Sequence, residues 1–413
     1  MASDEIITVF EEPLSEYLSA PNSWSMEELS DDKHLAMMED TKRLYFREIA
    51  KRTGIGIAEF RAAMIPIGNE ARSCYAESLT QGHSRQVFSE MMVIDGCFIV
   101  ELISTGFGDG RFKSGPIQID IRNDLLLLEN QLPFFVLLKL YQMIVPNVTE
   151  IDKFARLALS FFNVSNRPVP RKRFMHLLDL VHSTYLPSSR EIRRFECDES
   201  ITPNQSSDTA RTWKFIHSWK FIGSATELED AGIRFFGASV TNMEKEDKRI
   251  QSMFDIMFTT DTKVLKIPTL QVDDSTERKL RNYMAYEQFF PVGEPTYFVD
   301  YVIFMDNLIN TGKDVQLLCK SGIVDNRLGD YEAVAQMFNK LRQHIYMSEN
   351  FYYAGIFDEI NKHCQIKWNR WKVSLKKNYF NTPWSFVSFL AALVLLLLTL
   401  LQTIFTVVSY FKQ

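Results

Sequence analysis

Glycine and proline are scarce in this chain, at 17 and 14 of 413 residues, which excludes a collagen-like or low-complexity polymer. Cysteine is scarcer: Cys74, Cys97, Cys197, Cys319 and Cys364 stand far apart, with no C-x-x-C pair. Zinc knuckles and thioredoxin-like redox motifs are therefore absent, and free thiols are expected. An excess of positive charge is also missing, since 46 Lys and Arg against 52 Asp and Glu leave a net −6. Phosphate neutralisation needs clustered bases, so a nucleic-acid partner is not expected. The start, MASDEIITVF, has acids where a leader peptide has bases and lacks an apolar core, so no cleavable signal is expected. G-x-S-x-G, G-x-x-x-x-G-K-[ST] and H-E-x-x-H do not occur, which leaves the nucleophile elbow, the phosphate loop and the zinc-protease helix without a carrier.

What is present is 46% hydrophobic and 24% charged, the composition of a globular body. At about 150 residues per domain the length allows two or three ordinary domains or one large one. Charge is unevenly spread. Met1 to Asp40 holds eleven acids and one base, whereas Ile360 to Gln413 holds seven bases and no acid. Residues 1–32 are acidic, carry Pro13 and Pro21, and show no periodicity, so a disordered tail is expected there.

No charge occurs between Asn378 and Phe411, and Trp384 to Tyr410 is an apolar run of 27 residues. As a helix it would measure about 40 Å, more than the roughly 30 Å hydrocarbon layer of a bilayer. A transmembrane helix over 384–410 is expected, opened by Pro383 in its first turn, with Trp384 and Tyr410 as ring anchors at its two ends. Lys362, Lys367, Arg370, Lys372, Lys376 and Lys377 precede this run and only Lys412 follows it. The positive-inside rule then puts the N-terminal bulk in the cytosol. The expectation is a single-pass, tail-anchored protein of the plasma membrane or endomembranes, whose basic juxtamembrane stretch lies on anionic lipid.

The stretch from 33 to 375 reads as a large helical domain. Ser84 to Thr105 is apolar on nearly every side, as for a central helix. Ile119 to Val145 is similar, and Pro133 should divide it into two helices meeting near Leu132. Arg171 to Tyr185 reads as an amphipathic helix, 187–210 as a polar loop, and 233–240, 253–259 and 264–272 as a three-stranded antiparallel patch. Helical patterns resume over 274–289, 296–310, 313–320, 328–347 and 350–375. The fold class expected is mainly α (α+β): a large helical domain with a small antiparallel β patch and one C-terminal transmembrane helix.

Asp95 and Glu101 in the first apolar block, and Asp124 and Glu129 in the second, mark soluble core helices rather than further spans, because carboxylates are costly in lipid. Structural hydrogen-bond networks are their expected role. Asp95, Glu101 and Glu129 could alternatively serve a membrane-associated hydrolase-like enzyme as general acid and base, provided that they converge in a cleft. Gly106, Gly108 and Gly110 follow a helical pattern rather than a strand and read as a loop. His176 and His182 point about 120° apart on a helix and form no ready metal face with Asp179. No catalytic, cofactor or metal residue is assigned. Sequons at Asn147, Asn163 and Asn204 matter only for a lumenal domain.

The blocks FSEMMVIDGCFIVEL (88–102), IRNDLLLLENQLPFFVL (121–137), SATELEDAGIRF (224–235), LKIPTLQVDDSTERKLRNYMAYEQ (265–288), YVIFMDNLINTGKDVQLLCKSGIV (301–324) and PWSFVSFLAALVLLLLTLLQT (383–403) resemble, in order, the plant family called domain of unknown function 247. The likeness runs from HLAMMEDTKRLYF to the apolar end. One departure is NSWSMEELSDDK, where the family has a segment resembling VSIGPYHHG. The resemblance implies a plant-specific, helical, membrane-anchored protein without established catalytic residues or cofactor, from a family in which some grass members are self-incompatibility determinants. The resulting expectation is a non-catalytic recognition or signalling protein, self/non-self recognition being one form it could take, with the bilayer and a protein or peptide as partners.

Overall fold

The computed structural model describes residues 31–75, 84–108, 110–145, 151–164, 168–170, 172–187, 220–238, 252–290, 294–343, 345–347, 350–365 and 383–411. The acidic stretch up to residue 30, nearly all of the polar loop at 187–210, and the sequons Asn147 and Asn204 lie outside these residues. The chain divides into two compact units, Met1–Thr184 and Tyr185–Gln413.

The first unit is helical. It comprises α1 (Asp31–Thr53), α2 (Ile57–Met64), α3 (Gly68–Ser73), α4 (Arg85–Thr105), α5 (Gly115–Asp124), α6 (Phe134–Ile144), α7 (Ile151–Phe161) and α8 (Leu177–Tyr185), whose last residue crosses the division. The expected central helix is α4. Ser84 caps it by accepting a hydrogen bond from the Val87 amide at 3.2 Å, and Gly106 ends it at φ 66, a conformation that glycine adopts without strain. Helices α1, α2, α6 and α7 pack around it, burying Val93, Cys97, Val100 and Leu102 completely. Gly96 makes the α6 contact possible, because a Cβ there would collide with Leu140.

Pro133 stands immediately before α6, as its missing N–H requires. The preceding helix, however, stops at Asp124 rather than near Leu132. Residues 125–133 form turns because Gln131 Nε2 donates to the carbonyls of Leu125 and Leu127 at 3.0 and 2.7 Å, and Asn130 Nδ2 to that of Asp124 at 3.0 Å. Side-chain amides thus replace the helical ladder. Likewise α8 begins at Leu177 rather than Arg171, since His176 Nδ1 accepts from the Asp179 amide at 3.1 Å while Asp179 accepts from the Met175 amide at 2.9 Å.

The second unit contains α9 (Ala225–Asp230), β1 (Arg234–Ala238), β2 (Met257–Thr259), β3 (Val264–Pro268), β4 (Leu270–Val272), α10 (Thr276–Glu287), α11 (Tyr297–Leu308), α12 (Gly312–Lys320), β5 (Val324–Asn326), α13 (Tyr331–Leu341), α14 (Ala354–Gln365) and α15 (Pro383–Phe411). Helix α11 is its centre, with every residue from Tyr297 to Met305 buried; α10 and α13 pack on it. The small sheet has order β1-β3-β2. Its β2–β3 hairpin is antiparallel, Thr259 opposite Val264, as expected, with Lys263 in the left-handed region at φ 57 to close the turn. The β1–β3 pair corrects the antiparallel reading, because Arg234 to Ala238 run parallel to Val264 to Pro268. A second pair, β4 with β5, is also parallel and is joined through α10, α11 and α12, the long crossover that parallel strands require. Alternation of apolar residues predicts a strand but not the direction of its neighbour.

Candidate functional site

Helix α15 has 29 residues, about 44 Å of helix at 1.5 Å per residue, and its segment Val387–Ile404 is strongly apolar with none of it buried in the protein. Among the described residues it is the one helix long and apolar enough to cross a bilayer. Two of its hydroxyls are bonded within the helix: Thr399 Oγ1 donates to the Leu396 carbonyl at 2.8 Å and Thr403 Oγ1 to that of Thr399 at 2.7 Å. Hydroxyls bonded in this way are compatible with hydrocarbon. Trp384 and Tyr410, the expected ring anchors, fall one residue inside either end of α15, although their side chains lie outside the described residues. Of the basic residues before the run, Lys362 is exposed in the last turn of α14. Lys367, Arg370, Lys372, Lys376 and Lys377 lie outside the described residues.

The carboxylates singled out in the sequence go to separate surroundings. Asp95 pairs with Lys42 Nζ at 2.9 Å, and the same ammonium lies 2.6 Å from Glu39. Burial raises the Asp95 carboxyl above its usual range, with Lys42 opposing the rise. Burial acts to lower the Lys42 ammonium, but the attraction of Asp95 and Glu39 outweighs it and the net shift is upward. Glu101 is held by both terminal nitrogens of Arg52, at 2.6 and 2.7 Å, a bidentate fork. Asp95 and Glu101 are six residues apart on α4, about 9 Å along its axis. Glu129, in the turns after α5, is exposed, as is Asp124.

Near His176, Asp179 accepts from Lys172 Nζ at 2.6 Å, from the Met175 amide and from Ser183 Oγ at 3.1 Å. Burial pushes Asp179 upward, but these donors outweigh it and hold the carboxyl below its ordinary range. Burial lowers His176. Among the described residues no group of three or more His, Cys, Asp or Glu converges as metal ligands. The Gly106 and Gly108 stretch is the turn after α4. Asn163 is exposed, at φ 61 just beyond α7.

Three buried acids that the sequence reading passed over organise the second unit. Asp314, in the first turn of α12, accepts at Oδ2 from the Thr311 amide and hydroxyl, both at 3.0 Å. At Oδ1 it accepts from the Thr226 amide at 3.0 Å and the Thr226 hydroxyl at 2.8 Å, in the first turn of α9. One carboxylate therefore caps two helices. Burial acts to raise it, and the Thr226 donors lead the set that brings it below its usual range. At the start of α11, Glu287 accepts from the amides of Phe298 and Val299 at 3.0 and 2.9 Å. Asp300, fully buried, accepts from the Tyr352 amide at 2.8 Å and makes a long contact with Thr296 Oγ1 at 3.4 Å. Burial first, then the charge of Glu287, pushes Asp300 up to about 7. Asp300 was visible as a lone charge inside the apolar run YFVDYVIF, the signal by which Asp95 was noticed.

The sequence profile of a family described as plant protein of unknown function, domain of unknown function 247, matches residues 26–398. The UPF0481 protein At3g47200 of Arabidopsis thaliana is 28% identical over 410 aligned residues, covering 92% of this chain and 81% of that protein. A second Arabidopsis thaliana UPF0481 protein, At3g02645, is 21% identical, with 83% and 78% covered. No solved structure matches.

Proposed function

Since this chain belongs to that plant family of unknown function, matched over residues 26–398, we propose that it is a membrane-anchored recognition or signalling protein without catalytic activity. Helix α15 sits in the bilayer, the body lies on the cytosolic side, and the body binds a protein or peptide partner. The recognition is of the self and non-self kind that resemblance to the family implies for some grass members. The observation that carries the anchored part is α15 itself, apolar and with Val387–Ile404 wholly unburied. The excess of bases before it supports the cytosolic side. Support for binding over turnover comes from the carboxylates, because Asp95 and Glu101 are engaged by Lys42 and Arg52 while Glu129 faces solvent. An acid and base pair needs two such groups aimed at one space.

Tags placed before Met1 and after Gln413, tested for protease protection in sealed vesicles from plant cells, examine this reading. The expected outcome is digestion of the N-terminal tag and protection of the C-terminal one. The reverse pattern would overturn the cytosolic assignment and direct the search for partners outside the cell. Recovery of the chain in the soluble fraction would overturn the anchor.

A further inference from the structure

We propose that α15 pairs in the bilayer with α15 of a second, parallel copy of this chain, through one polar face centred on Ser388 and clasped at Gln402. The proposal rests on α15 spanning the bilayer, as read above, and goes beyond that reading by giving the helix a partner.

The face follows from the spacing of residues. In the 18-residue segment Val387–Ile404, every residue is Leu, Val, Ile or Phe except Ser388, Ala391, Ala392, Thr399, Gln402 and Thr403. At about 100° per residue, all of these lie within about 60° of Ser388 around the helix axis. Leu395 is the one bulky residue of the segment on that third of the circumference, and the other two thirds are Leu, Val, Ile and Phe throughout. The same register places Ser385 and Thr406 on the face. Spanning a bilayer requires only apolar length, which gives no reason for this sorting. A neighbouring helix gives one, because small side chains let two backbones approach closely and polar ones bond across the contact. None of the segment is buried in the protein itself, so among the described residues this chain does not supply the neighbour.

Two features select a second copy. Ser388, Ala392, Leu395, Thr399 and Gln402 follow one another at spacings of four and three, the repeat on which two helices wrap left-handedly along a continuous seam. The second feature is the Gln402 carboxamide, which is donor and acceptor in one group, with two N–H and two lone pairs. Whatever it bonds on its own helix, it retains the capacity to bond a second amide. In a parallel pair both copies of Gln402 sit at one depth, where each Nε2 can donate to the other's Oε1. Gln402 stands five residues beyond the midpoint of 384–410, so an antiparallel pair would hold the two amides about 15 Å apart along the membrane normal. The Thr399 and Thr403 hydroxyls donate within their own helix, and their oxygens keep lone pairs for a donor across the seam. Pairing presents two copies of the body to a partner, which strengthens binding through effective concentration.

Full-length chains in phosphatidylcholine vesicles, first checked for retention after alkaline carbonate, test the pairing. Ala392→Cys and Thr399→Cys put a thiol on the face, and Leu390→Cys and Leu397→Cys put one on the opposite side. Copper phenanthroline oxidation should give disulfide-linked dimers from the first two and not from the last two, above the background of the unsubstituted chain, whose own cysteines lie outside α15. Equal yields from all four variants, or none from any, would overturn the pairing. Energy transfer between two fluorescently tagged copies, followed as lipid is added, should show Gln402→Leu weakening association about 3- to 20-fold, and unchanged association would overturn the clasp. Release by carbonate would overturn the anchor and the pairing with it, whereas retained chains that form no dimer would overturn the pairing alone.

Discussion

Asp314 holds two helix starts at once, through Thr311 and Thr226. Replacing it with alanine leaves two sets of amide and hydroxyl donors without their acceptor. A cap is worth about 0.5 to 2 kcal/mol, so Asp314→Ala, which removes two, should destabilise the second unit by about 1 to 4 kcal/mol, read as a lowered urea midpoint by circular dichroism. Asp314→Asn should cost less, since one acceptor oxygen remains. The carboxyl lies below its usual range, so its contribution is complete above the ordinary carboxylate value and is lost as pH falls through the depressed one. Half of this was legible. Thr311-Gly312-Lys313-Asp314 has the spacing of a capping box, but nothing in the sequence brings Thr226, 88 residues away, to the same oxygen. The same limit applies to Asp95 and Glu101: their need for partners could be foreseen from their apolar surroundings, whereas Lys42 and Arg52 became their partners only when α1 packed on α4.

At the scale of elements, the closest approach in the first unit is α6 against α4 at Gly96. Alanine would ordinarily favour a helix over glycine by about 1 kcal/mol. Here the added methyl meets Leu140, so overpacking should dominate and Gly96→Ala should destabilise by about 1 to 3 kcal/mol, measurable as a lower thermal midpoint with weakened near-ultraviolet dichroism. A gain in stability would show that α6 moves aside freely. Helix starts were legible where a residue carries its own signal, as Ser84 and Pro133 do. The end of α5 was not, because Gln131 competes for carbonyls four and six residues earlier through its side chain, a choice settled only when its Oε1 also accepts the Leu178 amide at 3.1 Å. The parallel β1–β3 pairing was hidden for a related reason. Strand direction depends on how the chain returns to the sheet, and local alternation carries no record of that return.

For the whole molecule, α15 differs from the packed helices in that no residue of its apolar segment Val387–Ile404 is buried within the protein. Leu396→Arg, near the middle of the helix, should raise the cost of insertion by about 3 to 4 kcal/mol and increase the fraction of chain released by alkaline carbonate. Unchanged retention would mean that something other than α15 holds the protein to membranes. The sequence by itself determined the helical class, the central place of α4, the break at Pro133 and the apolar span. Each depends on periodicity, composition or a residue's own backbone constraint, all of which are local. The tertiary structure alone decided the partners of Asp95 and Glu101, the double cap of Asp314, the direction of β1 beside β3 and the burial of Asp300 against Glu287. These depend on segments far apart in the chain meeting in a medium of low dielectric, where a partner's position sets the energy of a charge.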